Sequence, residues 1–512
     1  MYARVRGVAI TGVRGRIVNV EASIGRGLPS LTLTGMPGAA ITDARERIRP
    51  AVERAGFAWP PHRVVVNLSP GSIRKEGAGL DLPLAIGVLA ANAQLPPDHL
   101  DRYVVWGELS LQGALVATPG ALSVAMASAA AGLPGVIVPL ANAAEASLVE
   151  GLHVVGVGAL DEAVGFLRGT TAPPPVPQHA DPPDEAADAP DLAEVRGQVA
   201  ARRALEIAAA GGHNIAMTGP PGAGKTMLAR RLPTILPGLA RDEALEVTQL
   251  HSVAGLLGSG TLVSRRPFRA PHHSVSSAGL LGGGAAGRFR AGEVSLAHRG
   301  VLFLDEVTEF RRDALEGLRQ PLEDGRVVIA RLQGSVEFPA RCMLVTAANP
   351  CPCGYAGSDD EACSCTSQAS SAYRTRLSGP LLDRIDIRLP VPRVSRRELL
   401  GAGSAESSET VRQRVVDARE RQRARGRSVG VACNAYLPGP VARHVAQLTG
   451  EAEGLLAHAV DAFGLTGRGF DRALRVARTI ADLEGARGVT ELHIAEALAL
   501  RGGTEGGLAR AG

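Results

Sequence analysis

Eight residues, GPPGAGKT from Gly219 to Thr226, carry the densest chemical signal in this chain of 512 residues. They satisfy the spacing G-x-x-x-x-G-K-[ST], in which glycines let the backbone curl so that its N–H groups and the start of a helix face phosphate oxygens. Gly219, Pro220, Pro221, Gly222, Ala223 and Gly224 would form that cradle. Lys225 would neutralise the β and γ phosphates, and Thr226 would offer its hydroxyl to Mg2+. A Gly-rich turn that holds nothing is the bland alternative. The run lies between a strand-like NIAMTG and a helix-like KTMLARRLPTIL, however, which is the context a phosphate cradle needs. About 80 residues further on, GVLFLDE (Gly300 to Glu306) is an apolar run ending in two acids, the pattern of a buried strand that delivers carboxylates beside such a loop. Asp305 would hold the Mg2+ shell and Glu306 would orient and polarise water, so the two motifs together predict nucleotide hydrolysis.

Lysine is nearly absent. Only Lys75 and Lys225 occur among 55 lysines plus arginines, leaving 53 arginines. This bias fits a genome in which lysine codons drift to arginine, and it makes each surviving lysine a place where a guanidinium would not serve. At Lys225 the reason is plain, because a compact ammonium must reach between phosphates. Lys75 stands in SIRKEGAGLDLPLA, where a structural ion pair with Glu76 and Asp81 is expected and codon chance is the alternative. A second cluster lies in NPCPCGYAGSDDEACSCTSQ, which holds Cys351, Cys353, Cys363 and Cys365, four of the six cysteines. Two C-x-C pairs can fold back into a tetrahedral thiolate cage suited to a structural Zn2+, with free thiols as the alternative.

The elements that must position these groups follow from composition. An apolar fraction of 45% can build real cores, and 512 residues exceed a single one. Residues 1–170 alternate β-branched runs with Ala-rich stretches, opening on a strand pair rather than an export signal. Residues 171–191 are Pro-rich and acidic, a linker. Residues 192–395 alternate strands and helices as a parallel α/β core does, 396–502 read as helical, and 503–512 as a Gly-rich flexible tail. The uncharged stretch Leu109 to Ala144 is broken by prolines and glycines, so no membrane span is expected. A net charge of +4 decides nothing alone, and 3% aromatics argue against a binder built on stacked rings. With no export signal, a cytoplasmic location and reduced thiols are expected.

The order GPPGAGKT, LFLDE, LVTAANP and LLDRID resembles the AAA+ ATPases, specifically the magnesium-chelatase-like branch and within it the YifB/ComM family. The resemblance implies an AAA+ P-loop core with a helical lid, ATP with Mg2+, and a homohexameric ring. It implies Asn349 as the sensor-1 residue helping Glu306 place water, and Arg384, in GPLLDRIDI, as an arginine finger reaching the neighbouring subunit's γ phosphate. It also implies Arg468 as sensor 2, with Arg472 a rival. RPFRAPHHSVSSAGLLGGGAAGRFRAGE resembles the insert that projects into the pore of such rings, and VVIARLQGSVEFPAR the hairpin before sensor 1. Arg288, Arg290 and Arg331 are then candidates to grip a phosphate backbone, with ordinary surface loops as the alternative. Arg412, Arg419 and Arg423, on one face of a later helix, are either a nucleic-acid contact or a solvated face.

The first 170 residues resemble the α+β proteolytic domain of the Lon protease, which works through a serine–lysine dyad. Here the serine position falls on Gly79, and the general-base position on Leu122 to Val124. Without nucleophile and base there is no route for acyl transfer, so a pseudo-protease scaffold is expected. Three functions remain. The resemblance favours a ring motor that acts on single-stranded or branched DNA, with branch-migration or helicase activity. The alternatives are a chelatase-type ATPase subunit and a protein remodeller without protease activity.

Overall fold

The computed structural model describes residues 1–96, 99–176, 190–257, 262–285, 288–331, 334–357, 362–376, 379–396, 398, 405–427 and 430–502. Most of the expected linker, 177–189, and the expected tail lie outside the described residues.

The chain opens on the expected strand pair. β1 (Tyr2–Thr11) and β2 (Arg14–Gly25) run antiparallel, in register from Tyr2↔Ser23 to Thr11↔Arg14. β3 (Ser30–Thr34), β4 (Arg63–Ser69) and β5 (Tyr103–Val105) follow, then a short pair, β6 (Glu108–Leu109) with β7 (Leu115–Val116), and finally β8 (Gly135–Pro139) and β9 (His153–Val157). Seven of these form one mixed sheet in the order β3-β4-β2-β1-β5-β8-β9. Alternation does the positioning: in β4, Val64, Val66 and Leu68 are buried while the residues between them are not. The helix Asp81–Ala91 is apolar on all sides and packs on β1 and β2.

The second sheet is parallel throughout. β10 (Ile215–Thr218), β11 (Phe268–Arg269), β14 (Val301–Leu304), β17 (Met343–Ala348) and β18 (Ile387–Pro390) lie in the order β11-β14-β17-β10-β18. β14 and β17 are buried along their whole length, which is why VLFL and MLVTAA read as unbroken apolar runs. Two hairpins stand off this core, β12 (Gly282–Ala285) with β13 (Arg288–Ala291), and β15 (Arg326–Arg331) with β16 (Gly334–Pro339). They occupy the two stretches that resemble pore elements.

The remainder is helical: Ser408–Gly426, Gly439–Ala446, Gly450–Phe463, Gly467–Leu483 and Glu491–Ala499. Ser408 ties the first of these to the core, because its hydroxyl accepts from Leu192 N and bonds Thr234 Oγ1, both at 2.8 Å. Of the three arginines expected on one face of this helix, Arg412 and Arg423 are exposed, while Arg419 is turned to the core. Arg419 donates Nε and Nη2 to Ala209 O, at 3.1 and 2.8 Å, and so closes the carbonyl end of helix Val199–Gly211. A buried aspartate anchors the lid to β18. Asp386 takes Arg472 Nη1 at 2.6 Å and His213 Nδ1 at 3.3 Å, and His213 Nε2 continues to Thr479 Oγ1 at 2.8 Å.

The two sheets meet through helix Ala121–Ala130 against helix Arg241–Val253. Gln249 Nε2 donates to Val13 O at 2.8 Å, and the Ser252 hydroxyl donates to the buried Glu145 carboxylate, which also takes Leu122 N at 2.7 Å. The molecule is thus an α/β P-loop core with a helical lid, preceded by an α+β part. No described helix is long and apolar enough to cross a membrane.

Candidate nucleotide site and its surroundings

β10 ends at Thr218, and the chain turns through Gly219–Gly224 into helix Lys225–Ile235. Two glycines are required there for different reasons. A Cβ on Gly219 would lie 2.0 Å from Val391 O, and Gly224 stands at φ +87°, where a side chain is strained. The Lys225 ammonium donates to Gly219 O at 2.7 Å, Pro220 O at 2.9 Å and Asn349 Oδ1 at 3.1 Å. Burial pushes its pKa down, while the charges of Asp305 and Glu306 oppose that shift. Thr226 Oγ1 donates to Asp305 Oδ2 at 2.6 Å.

Asp305 and Asn349 reach the loop because β14 and β17 run parallel to β10 and end at the same edge. Residues drawn from three separated motifs therefore converge, as expected. Glu306 follows Asp305 in the left-handed region at φ +49°, its side chain 59% exposed, beside the phosphate loop rather than within it. Backbone strain of this kind in a non-glycine persists only where the surroundings impose it. The His273 ring lies beside it, with Nδ1 3.7 Å from Glu306 Oε2. Sequence reasoning missed His273, although the histidine pair in APHHS stood within the quoted insert.

Arg384 and Arg468 lie elsewhere. Asn214, the residue before β10, donates Nδ2 to Arg384 O at 2.9 Å, so Arg384 sits at the opposite end of β10 from the phosphate loop. Four strand residues at ~3.3 Å each separate the two ends by about 13 Å. The Arg384 guanidinium, in a residue only 5% exposed, bonds Arg319 O at 3.1 Å and pairs with Glu323. Arg384, Arg468, Arg472 and Arg475 line one cavity of about 390 Å3 with Glu323 and Asp386. Arg472 is committed to Asp386, whereas exposed Arg468 makes no hydrogen bond or ion pair within the described residues. Thr466 caps the helix that carries Arg468 by accepting from Gly469 N at 3.1 Å.

The four cysteines converge as their spacing suggested. All four Sγ atoms lie within 4.8 Å of one another, and Cys351 is fully buried. The pairs Cys351–Cys353, Cys353–Cys363 and Cys351–Cys363 are 3.3, 3.5 and 3.7 Å apart. A tetrahedral ion with metal–sulfur bonds of ~2.3 Å would hold sulfurs about 3.8 Å apart, so the set fits Zn2+. Ala356 N and Cys353 N donate to Cys351 Sγ and Cys365 Sγ at 3.3 and 3.4 Å, the backbone bonds that orient thiolate ligands.

In the N-terminal part, Gly79 has no room for a serine. A Cβ there would meet Trp106 Nε1 at 2.1 Å. Leu122, Ser123 and Val124 are all fully buried, and the Ser123 hydroxyl is spent on Val13 O at 2.8 Å. The ion pair expected for Lys75 is also corrected. Glu76 pairs with Arg74, and Asp81 takes a two-pronged bond from Arg47 at 3.0 and 3.1 Å. Lys75 instead donates to three carbonyls, Gly35 O and Leu68 O at 2.8 Å each and Pro70 O. Three acceptors converge on one nitrogen, a geometry an ammonium satisfies and a planar guanidinium does not.

Comparison with known proteins agrees with this geometry. The chain matches the family described as magnesium chelatase, subunit ChlI, over residues 191–399, its C-terminal portion over 405–501, and the description subunit ChlI of Mg-chelatase over 20–142. It is 46% identical over 495 residues to an uncharacterized protein of Mycobacterium tuberculosis, covering 96% of this chain and 97% of that one. It is 41% identical over 505 residues to the uncharacterized protein YifB of Escherichia coli, and 40% over 501 to the competence protein ComM of Haemophilus influenzae, each covering 96% of both chains. A segment is 29% identical over 145 residues to the Lon protease of Salinispora arenicola, covering 27% of this chain and 18% of that protein. A phosphate loop, acidic strand tip and polar strand end in one parallel sheet, after a Lon-like part in which Trp106 packs against Gly79, agree with the full-length likeness to YifB and ComM: this chain belongs to the YifB/ComM family of magnesium-chelatase-like AAA+ ATPases.

Proposed function

We propose that the protein is an ATP-hydrolysing motor that assembles as a homohexameric ring and acts on DNA, single-stranded or branched. The contact of Thr226 with Asp305, beside that of Lys225 with Asn349, carries the ATPase part of this reading. Thr226 and Asp305 would hold Mg2+, which would supply neutralisation of phosphate charge. The residues of the chain do the rest. Lys225 leaves the carbonyls of its own loop for β and γ oxygens. Exposed Glu306 accepts a hydrogen bond from the attacking water and aligns it, and Asn349 fixes that water from the other side.

The far position of Arg384 and Arg468 supports a site completed by a second copy of the chain. Neither reaches the phosphate loop of its own chain, and both line the same cavity. Arg468, with no ion pair among the described residues, fits a sensor-2 role better than Arg472, which Asp386 already holds. The DNA part rests on the two hairpins, where Arg290 and Arg331 are exposed and lack a carboxylate partner among the described residues. The side chain of Arg288 lies outside the described residues. Gly79 at the serine position, with Trp106 in the space a side chain would need, supports a scaffold without peptidase chemistry. One Zn2+ on the four cysteines completes the set of bound groups.

The test measures ATPase turnover of the purified protein with single-stranded DNA, a four-way junction, a porphyrin, or an unfolded protein. DNA is expected to raise turnover, with stimulation falling as salt rises at roughly 0.7 to 0.9 counterions per phosphate neutralised. Stimulation by the porphyrin alone would give the chelatase reading in its place, and by unfolded protein alone the remodelling one.

A further inference from the structure

The cysteine cluster is built against the phosphate loop. β17 delivers Asn349, the partner of Lys225, and Cys351 follows two residues later. Gly354, at φ +89°, lies flat on Pro221, where a Cβ would come within 2.6 Å of Pro221 Cδ. Arg393 closes the other side. Its Nε donates to Pro221 O at 3.3 Å, and its guanidinium lies 5.4 Å from the centre of the Tyr355 ring. The second proline of GPPGAGKT is therefore held between the cysteine turn and the segment that follows β18. Helices elsewhere in the core owe their placement to packing, but this contact has only a short turn beneath it. A turn so short has no core of its own, and a metal is the usual means of making it rigid.

We propose that Zn2+ bound by Cys351, Cys353, Cys363 and Cys365 sets the shape of the phosphate loop through Gly354, Tyr355 and Arg393, so that metal occupancy governs nucleotide affinity. The inference rests on the zinc reading above and deepens it. With the ion bound, the turn from Cys351 to Tyr355 is one rigid piece, and Pro221 is pressed into the position that aims the loop N–H groups at phosphate. When the ion leaves, the turn is free to move, and the N–H groups lose their common focus. Loss of the partners that orient a metal's ligands typically costs 10- to 100-fold in metal affinity or activity; carried over to the phosphate loop at the low end, a loss of about tenfold in nucleotide affinity is expected here.

The experiment uses the full chain. Zinc is counted by mass spectrometry, and affinity for a fluorescent ADP analogue is measured on protein as purified, after chelation, and after Zn2+ is returned, with far-UV circular dichroism recorded at each stage. The variant Tyr355→Ala, which keeps all four thiols, forms a second arm. Expected are about one zinc per chain in both proteins, a roughly tenfold weaker affinity after chelation that Zn2+ restores, and a several-fold weaker affinity in Tyr355→Ala at full zinc content. Zinc present but affinity unchanged by chelation overturns the coupling and leaves the zinc reading standing. Protein grown with zinc yet purified without it ends both. If chelation unfolds the chain, the variant decides: unchanged affinity at full zinc overturns the coupling, and weakened affinity upholds it.

Discussion

Replacing Lys75 by methionine tests whether the three-carbonyl arrangement holds the N-terminal part together. Lys75 is fully buried, and its ammonium is bonded by Gly35 O, Leu68 O and Pro70 O. Methionine is unbranched and one atom shorter than lysine, and it donates nothing. Pro70 is exposed, so its carbonyl can turn to water, whereas Gly35 is half-buried and Leu68 fully buried. Two carbonyls are thus left without a donor, at about 1–3 kcal/mol each. Part of that is offset, because the variant no longer desolvates an ammonium, and a net loss of roughly 2–4 kcal/mol is expected.

The chain reports this loss selectively. Its two tryptophans, Trp59 and Trp106, both lie in the N-terminal part, so fluorescence during urea unfolding of the full chain follows that part alone. With a urea slope of ~2 kcal/mol per molar, the midpoint should fall by about 1–2 M. Lys75→Arg should also lose stability, by about 1–3 kcal/mol, since the larger planar group overfills a site shaped for one nitrogen. ADP affinity should not change in either variant. An unaltered midpoint in Lys75→Met would refute the reasoning. A wild-type midpoint in Lys75→Arg would show that charge matters there and compactness does not.

Lys225→Ala should abolish nucleotide binding, while Glu306→Gln should bind normally and lose turnover by about 100-fold or more, and equilibrium binding beside steady-state hydrolysis separates the two. Arg384→Ala should keep ADP affinity and lose hydrolysis, and mixing it with Lys225→Ala subunits should restore some activity, because one supplies the pocket and the other the arginine. No recovery at any ratio would count against a shared site. Asp386 gives a pH prediction. Burial pushes its carboxyl up, but the His213 hydrogen bond and the Arg472 charge outweigh burial and hold the pKa below the carboxylate range. Its stabilisation is therefore present above the unfolded value near ~3.9 and is lost as pH falls through the folded one. Helical ellipticity followed in acid should show unfolding below about pH 4, and Asp386→Asn should flatten that dependence while lowering stability at pH 7.

The parts of the site that could be read from the amino-acid order are those whose geometry is local. GPPGAGKT fixes its own turn, and the apolar runs before Asp305 and Asn349 can only be central strands, so their tips must meet at one sheet edge. What could not be read are contacts to backbone. Lys75 sits beside two acids in the chain, yet Arg47 and Arg74 take those acids, and nothing in the side-chain order announces that three carbonyls converge on its nitrogen. Arg419 fails for the same reason, since the carbonyl of Ala209 that it caps is invisible to any reading of charge periodicity. Gly79 was legible as a missing nucleophile. That Trp106 closes the space was not, because the two residues are brought together only by the fold.

The arginines show a limit of a different kind. Arg384 is buried yet charged, which already requires a partner, and Glu323 and Arg319 O supply one. Those partners lie at the end of β10 where the strand begins, whereas Lys225 and Thr226 lie where it ends. In a parallel sheet that separation is fixed by strand length, and no side-chain motion of an arginine spans it without unmaking the Glu323 pair. If Arg384 acts on phosphate, the phosphate must be brought to it by another copy of the chain, and the Glu323 pair is what the isolated subunit offers that charge in the meantime. Arg468, exposed on the wall of the same cavity and without a carboxylate partner among the described residues, would meet the same incoming group. The same wall carries Arg472 and Arg475 with Glu323, Asp324, Asp386 and Asp471, so the two ends of one sheet differ: phosphate-binding groups gather at one, and arginines interleaved with acids at the other.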